Sequence, residues 1–122
     1  KIVLIVIYRI GLGFWVVLLA YLSLRQSSVS PPLFPHADKV FHLLFYGVLA
    51  LLAFGAHSTK PNGKQLVYLA LTCFFYGIFL EFMQRFATKS RFFEVLDIVA
   101  NGIGVFSASI MYSMFKKKKL WV

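Results

Sequence analysis

Glu81, Asp97 and His42 are the residues of this 122-residue chain best equipped for chemistry. Carboxylates and an imidazole carry acid–base work, and burial moves a carboxylate's proton affinity toward a useful range. Near them in sequence stand Asp38, Lys39 and Tyr46, then Gln84 and Arg85, then Arg91, Glu94 and Asn101. Lys39, Arg85 and Arg91 could hold a phosphate or carboxylate, the arginines through paired hydrogen bonds. Three of the four acidic residues fall between Tyr76 and Gly104, in stretches otherwise apolar enough to cross a bilayer. A charged or amide side chain in such a segment is costly, and by default it marks a functional site.

Spacing groups these residues into stripes. Helical neighbours lie three or four residues apart. Asp38, His42 and Tyr46 make one stripe; Gly77, Glu81 and Gln84 a second; Asp97, Asn101, Gly104 and Ala108 a third. Each stripe is narrow, so each helix can turn it inward and leave Phe, Leu and Val to lipid. Ala100, Gly104 and Ala108 repeat a small-xxx-small pattern that lets membrane helices approach closely, and Gly77 offers the same beside Glu81.

The elements that must position these stripes follow from composition. The chain is 60% hydrophobic and 14% charged, whereas soluble domains run at about 45–50% and about 25%. That surplus of apolar surface excludes a water-soluble globule. The stretches 2–24, 38–57, 66–84 and 96–115 each approach the roughly 20 residues needed to span hydrocarbon. Pro31, Pro32 and Pro35 break the chain after the first, and Pro61-Asn62-Gly63 after the second. The expected fold is all-α: one polytopic domain over 1–122, a bundle of four transmembrane helices with short loops. The first stretch is too long for an easily cleaved signal peptide, and Arg9 within it is expected to snorkel to the nearer interface. Cys73 has no partner for a disulfide and is expected to serve as a small packing residue.

The net charge of +9 contains a run from Lys116 to Lys119 directly after an apolar segment. That is the pattern of a cytoplasmic anchor rather than a nucleic-acid footprint. With four spans the termini share a side carrying Lys1, Arg9, Lys60, Lys64 and the four-lysine run. Arg25, Lys39, Arg85, Lys89 and Arg91 face the other way. Basic loops stay inside, which places both termini in the cytoplasm of a multi-pass cell-membrane protein. The polar ends of spans two, three and four then converge at the extracytoplasmic face. At 1.5 Å of rise per residue, Glu81 lies about 6 Å, Asp97 about 9 Å and Asn101 about 15 Å below that interface.

The blocks DKVFHLLFYGVLALL, YGIFLEFMQRF and R-x-x-E-x-x-D-I-x-x-N-x-x-G, over Asp38 to Gly104, resemble the VanZ-like family of small membrane proteins. The positions carried over are Asp38, Lys39, His42, Tyr46, Glu81, Gln84, Arg91, Glu94, Asp97, Asn101 and Gly104. The resemblance implies a cell-envelope protein connected with glycopeptide (teicoplanin) susceptibility; it does not supply a mechanism.

Several readings of the cluster stay open at this level. One is binding, with the charged and amide groups recognising an envelope lipid, a cell-wall precursor, a drug or a partner's helix. A second is an enzyme acting on a lipid head group, with Glu81 or Asp97 and His42 as acid and base. A third is a buried network fixing helix register, pairing Glu81 with Arg85 or Asp97 with Arg91. A metal held by His42, Asp38 and Glu81 fits by ligand type, but no dense His or Cys cluster supports it. No cofactor and no metal are expected. Membrane lipids are the expected surroundings, and oligomeric state is not legible.

Overall fold

The computed structural model of the chain describes residues 2–24, 37–58, 61–87 and 95–117. They form four helices: α1 (Ile2–Leu24), α2 (Ala37–Ala56), α3 (Gly63–Ala87) and α4 (Val95–Lys117). All four are long and apolar enough to cross a membrane. At about 1.5 Å per residue they reach roughly 30 Å or more, the thickness of the hydrocarbon. A helix closes its own backbone hydrogen bonds, which is why such sequences span lipid in this form. Ile7, Ile10, Phe14 and Val17 of α1, and Phe75, Phe79 and Phe106 of α3 and α4, are exposed. That outer surface would be untenable in water and is ordinary against acyl chains.

Successive helices run antiparallel. Trp15 of α1 donates its indole N–H to the carbonyl of Phe45 at 2.9 Å, and the two rings meet edge-on. The Tyr76 hydroxyl of α3 donates to the Val16 carbonyl at 2.6 Å. The most extensive contact joins α2 and α4, which run parallel. Its centre is Gly104: a Cβ there would run into the backbone carbonyl of Leu43, so only glycine permits this approach. Ala50, Ala100 and Ala108 are buried around it, and Phe54 packs on Tyr112 further along. Cys73 is buried, as expected of a packing residue.

Two local features add to the sequence reading. Helix α3 begins at Gly63 rather than Leu66. The reason is a reciprocal cap: the Asn62 side chain accepts from the Gln65 N–H at 2.9 Å, and the Gln65 side chain accepts from the Asn62 N–H at 3.0 Å. This capping box satisfies two donors that would otherwise be orphaned and starts the helix directly after the turn. Arg9, expected to reach for the nearer interface, does so by way of the end of α2. Its Nε donates to the Ala56 carbonyl at 3.0 Å and its Nη2 to Ser58 Oγ at 3.0 Å. The guanidinium thus meets the negative, unsatisfied end of α2.

This topology brings the end of α1 and the start of α2 to the same end of the bundle as the end of α3 and the start of α4. The four-helix connectivity therefore delivers three polar stripes to one place.

A buried carboxylate and imidazole cluster at one end of the bundle

Helix α2 contributes the cationic side of the cluster. Lys39 lies in its first turn, with its ammonium 2.6 Å from Asp38 Oδ2 and 2.9 Å from Asp97 Oδ1 of α4. Asp38 is exposed, whereas the Asp97 side chain is only 8% exposed. The Lys39–Asp97 distance is that of an ion pair, but its direction is not that of a hydrogen bond. Asp97 Oδ1 has no directed donor although it is buried. We read the pairing as electrostatic.

One turn further along α2, His42 spans two residues of α4. Its Nδ1 lies 2.9 Å from Asn101 Oδ1, and its Nε2 lies 3.6 Å from Asp97 Oδ2. The imidazole stacks nearly parallel to Tyr46, its neighbour four residues on. Helix α3 closes the third side with Glu81 and Gln84, both buried. Beside them Gly77 matters for what it lacks: a Cβ would fall 2.8 Å from Asn101 Nδ2 and 2.9 Å from the Tyr46 ring. The glycine admits both side chains against the α3 backbone. Asn101, 1% exposed, has no hydrogen-bond partner for its amide nitrogen.

The residues singled out from sequence are thus distributed unevenly. Lys39, His42, Tyr46, Glu81, Gln84, Asp97 and Asn101 gather within this end of the bundle, with Asp38 at its rim. Arg85 lies exposed in the last turn of α3. Arg91 and Glu94 lie outside the described residues, so the Asp97–Arg91 pair weighed for the register-fixing network is not described; among the described residues Lys39 is the cation paired with Asp97. His42, Glu81 and Asp97 can each bring one ligand atom within 4.8 Å of the others. The acidic residue joining His42 and Glu81 is Asp97, as in the acid–base trio read from the sequence, and not the Asp38 of the ligand set weighed there for a metal.

The sequence reading left α1 out of the site. In the structure a cavity of about 320 Å³ lies between α1 and α2, lined by Leu19, Leu22 and Ser23 together with Phe41, Phe45 and the polar trio Asp38, His42 and Tyr46. Only Ser23 breaks the apolar run of α1 here, a signal too weak to find this wall by composition.

The comparisons decide the family. A family model described as VanZ/LLP1 matches residues 5–116, nearly the whole chain and all four helices. The chain belongs to the VanZ/LLP1 family. It is also similar to the uncharacterized protein C11E3.10 of Schizosaccharomyces pombe, 29% identical over 86 residues, covering 70% of this chain. The chain spans about half the length of that curated relative, 52%. No solved structure matches it. Among the described residues, the cluster is a set of acceptors with the Lys39 ammonium and the His42 imidazole, drawn from three helices. Such a set can bind a polar group, hold a cation or relay a proton.

Proposed function

We propose that this VanZ/LLP1 protein binds the polar head of an envelope lipid or lipid-linked precursor at the extracytoplasmic end of its bundle. One observation carries the reading: the cavity between α1 and α2 is lined both by apolar Leu19, Leu22, Phe41 and Phe45 and by polar Asp38, His42 and Tyr46. An amphiphile matches that division, tail along the phenylalanines and head against the cluster, as ligand sites commonly pair apolar walls with a few polar groups. The connection with teicoplanin susceptibility would then act through the availability of an envelope lipid. The outer placement rests on the distribution of Lys and Arg.

A second reading is favoured by the His42–Asp97 contact, with Glu81 nearby. Imidazole and carboxylates so placed could exchange a proton with a bound head group, making the protein an enzyme on a lipid-linked substrate.

The test is photo-crosslinking of the purified, reconstituted chain with a phospholipid carrying a diazirine on its acyl chain. Label is expected on the cavity-lining peptides of α1 and α2. Ser23→Trp, which puts an indole into the cavity lining, should reduce that label about tenfold, the loss expected when a well-packed contact of order 1.4 kcal/mol disappears. Label spread evenly over all four outward faces, and indifferent to Ser23→Trp, would reject the site. Release of a chemically altered head group, lost in Glu81→Gln or Asp97→Asn, would replace binding with catalysis.

A further inference from the structure

The Asn101 contact fixes the state of His42. Asn101 Oδ1 can only accept, so the imidazole must donate from Nδ1 across the 2.9 Å contact. In the neutral ring this leaves a lone pair on Nε2, and that lone pair looks at a carboxylate oxygen, Asp97 Oδ2, 3.6 Å away. Two acceptors facing one another in a buried place need a cation between them. Glu81 supplies a third donor atom within 4.8 Å of both, and Asp97, 6% exposed, keeps its other oxygen buried without a directed donor.

We propose that His42 Nε2, Asp97 Oδ2 and a Glu81 carboxylate oxygen together hold one divalent cation of the Zn²⁺ or Mn²⁺ kind. Bonds of about 2.0–2.2 Å place the ligand atoms of a metal about 3–4 Å apart. The His42–Asp97 spacing already matches, and a small rotation of a side chain brings the third atom in. One imidazole nitrogen with two carboxylate oxygens suits these ions better than a soft, thiolate-seeking one. The surroundings are those of a supported site. Asn101 orients the ring from the far side, and the Lys39 ammonium rests against the carboxylate oxygen of Asp97 that the metal does not use. Three protein ligands leave coordination positions for water or for an oxygen of a bound head group. A metal here would turn a carboxylate-rich pocket into one that accepts a phosphate.

The metal can be tested without lipid, so the two proposals fail separately: lost crosslinking leaves the metal standing, and an absent metal leaves the cavity. The full chain, carried without a histidine tag and with His36→Gln and His57→Gln, has His42 as its sole imidazole, since the chain holds three histidines. Stripped with a chelator in detergent and titrated with Mn²⁺, it should bind one ion per chain. Pulsed electron paramagnetic resonance should show nitrogen coupling from the imidazole. Asn101→Ala should weaken binding about 10- to 100-fold, the usual cost of losing the group that orients a ligating histidine. Glu81→Gln should reduce it further, and Zn²⁺ should compete with Mn²⁺. Absence of bound Mn²⁺ at micromolar concentration, or bound Mn²⁺ without nitrogen coupling, overturns the proposal and leaves a proton as the shared cation. The nitrogen coupling is read on a chain with all three ligands in place, so a poorly folding variant does not blunt the test.

Discussion

At the scale of the residue, the site depends on a position with no side chain. Gly77 faces Asn101 and Tyr46 at distances where a methyl group does not fit. Gly77→Ala should therefore push Asn101 away from His42, at a cost of about 1–3 kcal/mol for overpacking. Gly13→Ala, with nothing within 4 Å of its Cβ, should be neutral or gain about 0.5–1 kcal/mol of helix propensity. Thermal melts of the two variants in one detergent check the contrast; equal melting temperatures would mean that α3 yields without strain. The polar members of the cluster were legible in the sequence because Glu81, Asp97 and Asn101 are expensive in a lipid-spanning stretch and Leu or Val at those positions would not be. Which of them meet was not legible. Stripe spacing places Asp38 and His42 on one face of one helix, but the distances from His42 to Asp97 and Asn101 belong to how α2 lies on α4.

At the scale of the element, that crossing is the structural decision of the molecule. Lys39 to Asp97 and His42 to Asn101 are both α2–α4 contacts, and Gly104 sits beneath them on the backbone of Leu43. Because the obstacle is a main-chain carbonyl already inside a helix, it has no rotamer with which to retreat. Gly104→Ala should separate the two helices, costing about 1–3 kcal/mol or more, and should weaken both cluster contacts together. Gly102→Ala meets only the ring of Phe74, at 3.1 Å, and should be milder because a ring can move. Thermal melts of the two variants in one detergent compare them. A melting temperature unchanged in Gly104→Ala would show that the crossing does not rest on this glycine. The Ala100–Gly104–Ala108 repeat announced such a crossing. The capping box at Asn62 did not announce itself, since Pro-Asn-Gly reads first as a turn; the interfacial reach of Arg9 was legible, and only its acceptors at the end of α2 were not.

At the scale of the whole molecule, an even number of spans and one cluster end together set which side of the membrane the chemistry meets. The helices place Asp38, Glu81 and Asp97 at the end opposite Arg9 and Ser58, and that arrangement is independent of orientation. Orientation rests on lysines and arginines, and there the tail decides. The termini-bearing side carries eight basic residues, of which four are Lys116 to Lys119, against five on the other. Basic residues flanking the spans hold their side in the cytoplasm, and charges added at a C-terminus can invert a membrane protein. Replacing Lys116 to Lys119 with glutamine leaves four against five. The expected outcome is a chain of mixed or inverted orientation. It can be followed with a membrane-impermeant maleimide on intact cells, in a Cys73→Ser background. Phe86→Cys, exposed at the cluster end, should react when the lysines are present, and Lys64→Cys at the opposite end should not. In the glutamine variant the two reactivities should converge or exchange. If the cluster end faces outward regardless of the tail, the first helix dictates insertion and the lysines serve only to hold the surface of the inner leaflet. If Lys64→Cys reacts while the lysines are intact, the cluster opens to the cytoplasm, and its ligand must be sought among the lipids of that leaflet.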